Sequence, residues 1–127
     1  MKTHAPLIFG AAAILGAIVA GVSAASAHSF PESESPSAGA TINAPPSQVT
    51  IKYDAPIEKL FASLEVLDDA GQNKTAGPAN VSLDGWKLSV NLDKLKPGDY
   101  TVKWHVVGID SHRTEGSYSF TVAGSGQ

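Results

Sequence analysis

The chain of 127 residues contains no cysteine, and its only methionine is Met1. The first absence excludes disulfide stapling and thiolate metal sites. The second means that, once the N-terminal residues are removed, no soft sulfur donor of either kind remains. Strong charge is lacking as well. Nine basic residues face twelve acidic ones, so no basic footprint for nucleic acid or anionic lipid is present. No apolar run reaches the roughly 20 residues of a membrane-spanning helix. Helix signals are nearly absent, and no nucleophile elbow, glycine-rich phosphate loop, HExxH or dinucleotide fingerprint occurs. Most enzyme classes recognisable from short motifs are thereby left without support.

What is present begins with an export signal. Lys2 and His4 form a short n-region, Leu7 to Val22 is an apolar run of 16 residues, and Ala25 and Ala27 satisfy the A-x-A cleavage pattern. Residues 1–27 are read as a secretory signal peptide, with the mature domain spanning 28–127. That mature chain of 100 residues suits a single core. It holds eight basic and twelve acidic residues, a formal charge of −4, and is expected to be exported, not membrane-spanning, and monomeric.

The mature region reads as short β-rich runs punctuated by Pro, Gly, Asn and Asp. Gln48–Tyr53 alternates Val49, Ile51 and Tyr53 against polar neighbours. Strands are expected also at Phe61–Leu67, Ala79–Leu83, Trp86–Leu92, Asp99–Val107 and Gly116–Val122, with a leading segment near Ser29–Glu34. Asp84-Gly85 is a hairpin signal. The expected fold is all-β, an immunoglobulin-like sandwich of about seven strands. Lys96-Pro97-Gly98-Asp99-Tyr100 fits a tyrosine corner, and Trp86 and Trp104 read as core aromatics. Asn73-Lys74-Thr75 and Asn80-Val81-Ser82 are glycosylation sequons, a pattern that arises often by chance.

Three histidines survive processing: His28, His105 and His112. Cleavage after Ala27 makes His28 the first residue, so its α-amine and imidazole Nδ1 close a six-membered chelate ring around one metal ion. Asp110 and His112 lie two apart in the Gly108–Gly116 connection. If that stretch is extended, both side chains point the same way. His105 alternates away from the apolar face of its strand and is expected to face solvent. Two imidazoles, one amine and one carboxylate suit tetragonal Cu(II), which also leads the divalent affinity order; Zn(II) accepts the same donors. Cleavage after Ala25 would instead start the chain Ser26-Ala27-His28, and that would be a different site needing neither Asp110 nor His112.

The mature chain resembles the CopC family of periplasmic copper-binding proteins. The resemblance is carried by His28 at the cleavage point, Ser35-Pro36-Ser37-Ala38-Gly39-Ala40, and Gln48-Val49-Thr50-Ile51 leading to Pro56-Ile57-Glu58. It continues through Leu95 to Trp104 and Asp110-Ser111-His112 ahead of Gly116 to Val122. It implies a Greek-key β-sandwich, a periplasmic location and one Cu(II) per chain, held by His28, Asp110 and His112. It also implies sequestration or carriage of copper for homeostasis or resistance, with a membrane transporter or outer-membrane copper protein as partner. This chain departs from the family where Met-rich members bind Cu(I), since its mature part has no methionine. Ser111 stands where glycine is usual, and His105 where arginine is common.

Two other classes compete with a non-catalytic copper protein. A histidine brace on a β-sandwich is how copper-dependent polysaccharide monooxygenases activate oxygen, but 100 residues leave little room for a saccharide-binding face. A metal-free interaction module would show no change in copper affinity on mutation of His28 or His112.

Overall fold

A computed structural model describes residues 29–124. Every element among them is a strand: β1 (Pro31–Ser35), β2 (Thr41–Ile42), β3 (Gln48–Tyr53), β4 (Ser63–Leu67), β5 (Asn80–Val81), β6 (Lys87–Asn91), β7 (Gly98–Val107) and β8 (Arg113–Val122). They form two four-stranded sheets, ordered β1-β3-β6-β5 and β2-β8-β7-β4. Neighbours such as β3 and β6 or β2 and β8 are distant in sequence, which gives the crossed connections of a Greek-key sandwich. The expectation of about seven strands becomes eight. The addition is β2, two residues pairing in parallel with the end of β8, too short to show any alternation.

The period of two built the core as read. Val49, Ile51 and Tyr53 of β3 and Leu88 and Val90 of β6 face Leu64, Val66, Val102, Trp104, Val106 and Phe120 of the other sheet. Tyr53 and Trp104 meet edge to face with centroids 5.5 Å apart, and Tyr100 stacks on Phe120 at the same spacing. Such pairs add to simple burial. Trp86 differs from expectation: it lies just before β6 in the turn closed by Gly85, half-buried and outside the core. The tyrosine corner is present, with the Tyr100 hydroxyl donating to the Lys96 carbonyl, a bond worth about 1 kcal/mol. The Tyr53 and Tyr118 hydroxyls are buried with no hydrogen bond among the described residues. Burial first, and the nearby Glu34 carboxylate second for Tyr118, push these phenols above their ordinary value of 10.0; for Tyr53, Tyr118 contributes as well. In both, burial favours the neutral phenol.

Strand ends shift where the backbone overrides the pattern. Phe61 has a positive φ of 66° and is exposed, so β4 begins two residues later than expected, at Ser63. At the other side, β8 begins three residues earlier, at Arg113, because Val107 pairs directly with Arg113.

Two turn carboxylates tie loops to the frame. Asp68 accepts the Gln72 and Ala70 N–H groups, and Lys74 lies 3.6 Å away. Asp84 accepts the Ser82 hydroxyl and the Trp86 N–H. The Gln72 N–H chiefly holds Asp68 below its ordinary value of 3.8, and the Ser82 hydroxyl chiefly does so for Asp84. A carboxylate with a lowered native value stabilises the fold fully above its unfolded value, and that contribution fades as pH falls through the native one. In metal-free protein the contribution of these two carboxylates should therefore be constant down to about pH 4 and fade below it. Asp68→Asn should flatten this acid limb, as read by urea unfolding across pH 2–6.

Candidate metal centre

The β7–β8 connection is a tight hairpin turn, not the extended stretch that the two-residue spacing suggested. Gly108 N–H donates to the His112 carbonyl at 2.9 Å, and Ser111 N–H donates to the Gly108 carbonyl at 2.9 Å. Ile109, Asp110 and Ser111 are thus the three loop residues of a β-turn that ends in a left-handed residue, Ser111 at φ 75°. Glycine is the usual occupant of such a position. Serine adopts it here at a cost of about 1–2 kcal/mol, so the substitution leaves the turn standing.

That turn brings Asp110 and His112 together by a route other than strand alternation. Asp110 Oδ1 accepts the His112 backbone N–H at 3.1 Å, a local Asx-type bond, and Asp110 Oδ2 lies 3.0 Å from His112 Nδ1. The carboxylate therefore fixes both the main chain and the ring of His112. With Nδ1 directed at Asp110, Nε2 is the ring nitrogen that would bind a metal. The imidazole is 60 % exposed and the carboxylate 21 %, so the pair sits at the surface of one pole of the sandwich. A carboxylate has lone pairs beyond those used here and can still donate to a metal.

His105 lies elsewhere. It is on β7, paired across to Ser63 and Glu115, and its Nδ1 is 3.2 Å from the Phe61 carbonyl. A carbonyl only accepts, so this nitrogen carries the proton and the ring serves to hold the loop before β4. Among the described residues no three His, Asp or Glu side chains converge on a point that could hold a metal. Asp110 and His112 are two of the three expected ligands. The third, His28, and the expected signal peptide, residues 1–27, lie outside the described residues. What sequence reasoning missed is the anchoring of Ser29. This residue is fully buried, its hydroxyl donating to the Pro56 carbonyl and its carbonyl accepting the Thr114 hydroxyl at 2.7 Å. No periodicity marks a lone serine as interior.

Exposed apolar side chains gather near the same pole. Ile109 of the turn, Leu60 and Leu83 border one shallow groove with Pro56 and Ile57. No helix among the described residues is long and apolar enough to cross a membrane.

Compared with known proteins, residues 31–123 match the CopC domain family model. The chain belongs to the CopC family. Among curated relatives, Protein YobA of Escherichia coli strain K12 is 37 % identical over 98 residues, covering 76 % of this chain and 79 % of YobA. Copper resistance protein C of Xanthomonas campestris pv. juglandis is 33 % identical over 117 residues, covering 83 % of this chain and 89 % of that one. The crystal structure of CopC from Methylosinus trichosporium OB3b superposes with a TM-score of 0.73 at 31 % identity, covering 79 % of this chain and 98 % of that one. The CopC β-sandwich architecture agrees with the two sheets described above.

Proposed function

We propose that the mature protein binds one Cu(II) in the periplasm and sequesters or carries it, without catalysing a reaction. The single observation that carries this reading is the Asp110–His112 pair, held at the surface within the turn beside the buried Ser29. Covalent geometry leaves residue 28 only one peptide unit, about 3.8 Å between Cα atoms, from that anchor. In a chain cleaved after Ala27, the amine and imidazole of His28 would then have an oxygen and a second imidazole within reach. The set would be three nitrogens and one oxygen, with Asp110 both orienting His112 and available as a donor. The family match and the relative named copper resistance protein C support a copper-handling role. The lack of mature methionine and cysteine favours Cu(II) over Cu(I). Transfer to a membrane transporter or outer-membrane copper protein would take place at this pole, where a partner could reach the ion.

The test is a competitive Cu(II) titration on protein whose mass confirms His28 as the first residue. One equivalent should bind and give a tetragonal electron paramagnetic resonance signal. Copper at 100 times its Kd should stabilise the fold by about 2.7 kcal/mol, seen as a rise in Tm. Absence of both the stoichiometric signal and the rise would discard the reading. Oxygen consumption by the ascorbate-reduced, copper-loaded protein on chitin or cellulose would point instead to a monooxygenase.

A further inference from the structure

The segment just inside the processing point shares its supports with the Asp110–His112 turn. The Pro56 carbonyl accepts the Ser29 hydroxyl at 3.2 Å and also the Ile109 N–H of the turn at 3.3 Å. Thr114, two residues after His112 on β8, is buried and donates its hydroxyl to the Ser29 carbonyl. Phe30 and Asp54 exchange two further bonds, Phe30 N–H to the Asp54 carboxylate and Asp54 N–H to the Phe30 carbonyl, both at 2.9 Å. Residues 29 and 30 are therefore held at four points.

Gly108 lies beneath both parts. A Cβ at this position would stand 2.8 Å from Asp110 Oδ1 and 2.9 Å from Ser29 Oγ, closer than real Cβ contacts come. Gly108 is not among the positive-φ glycines. Close approach, and not backbone conformation, is what requires glycine here. One hydrogen atom in place of a methyl lets the N-terminal segment and the Asp110 carboxylate occupy adjoining space.

From this common footing we propose that Thr114 and Gly108 are positioning residues. They clamp Ser29 against the Asp110–His112 turn and so set how tightly the N-terminal chelate closes on Cu(II), although neither supplies a donor. The proposal rests on the copper reading above. Its physical basis is preorganisation. Donors from two distant parts of the chain must be brought together, and a segment already fixed loses less freedom when the metal arrives. Residues that orient metal ligands typically change affinity by about 10–100-fold.

The test compares Thr114→Val, Thr114→Ser, Gly108→Ala and Tyr100→Phe, each verified by mass to begin at His28. The readouts are Cu(II) affinity by competition, the electron paramagnetic resonance spectrum, and urea unfolding of the metal-free form. Tyr100→Phe is the control for stability alone, since β7 places Tyr100 about 25 Å from the turn. Thr114→Val and Gly108→Ala should each weaken Cu(II) binding about tenfold or more, with an altered spectrum. Thr114→Ser, which keeps the hydroxyl, should stay within about twofold of the parent. Tyr100→Phe should lower stability without changing affinity or spectrum. Parent-like affinity in both Thr114→Val and Gly108→Ala would overturn the proposal, as would losses that follow stability in all variants, Tyr100→Phe included. Failure of the parent itself to bind one Cu(II) would overturn the copper reading, and this inference with it.

Discussion

Protein carrying one extra alanine ahead of His28 is expected to bind Cu(II) at least about a hundredfold more weakly than protein that begins at His28, a larger loss than removing an outer-shell partner brings. The extension converts a basic amine into a peptide nitrogen and opens the six-membered ring, so one donor is lost and another loses its chelate partner. The fold should not notice. Ser29 and Phe30 keep their bonds to Pro56, Thr114 and Asp54, and urea midpoints of the two metal-free proteins should coincide. The amine also sets a pH dependence. Its proton, with an ordinary pKa of about 7.7–8.0, must leave before copper binds, so apparent affinity should fall about tenfold per pH unit below that range. In the extended protein the profile should differ, because its terminal amine no longer belongs to the His28 chelate ring. Equal affinity in both proteins, with the same pH profile, would remove the amine from the site.

The next largest effect is expected at the turn. His112→Ala should weaken Cu(II) binding about a hundredfold, while Asp110→Asn, which keeps an oxygen for the His112 N–H but loses the charge, should cost about 10–100-fold. The two variants separate roles that one carboxylate combines. If Asp110 only orients the ring, Asp110→Asn should leave the number of coordinated nitrogens and oxygens unchanged in pulsed spectra. If it also donates, an oxygen should be replaced. Neither change should much affect the fold, because His112 is largely exposed and the turn keeps its two backbone bonds. Competition titration and urea unfolding of the same samples decide this. Parent-like affinity in His112→Ala would leave the N-terminal residues to bind copper without the turn.

How far the sequence could be read depended on the kind of signal each residue carries. β3 was legible to the residue, since Val49, Ile51 and Tyr53 alternate with polar neighbours and all three are buried. β7 was nearly so, for the same reason. The ends of β4 and β8 were not, because Phe61 looks like a strand residue but holds a positive φ, and Arg113 to Glu115 pair with β7 without any apolar alternation to announce it. β2 is a two-residue parallel contact, below the length at which a period exists. At the site, Asp110 and His112 were picked out by donor chemistry, and their proximity was anticipated for the wrong reason. A turn closed by Ser111 joins them where an extended strand was expected. Ser29, Thr114 and Gly108 are a small serine, a threonine and a glycine, and nothing in a linear pattern distinguishes such residues at an anchoring point from others on a surface.

The length of β8 has a practical corollary. The strand leaves the turn at Arg113 and runs ten residues to Val122, carrying the chain about 30 Å toward the opposite pole before Gly124. A purification handle, a sensor chip or a fused reporter joined downstream of β8 would leave the sandwich at the pole away from the Asp110–His112 turn. The molecule can be moored behind β8 with the Asp110–His112 turn outward.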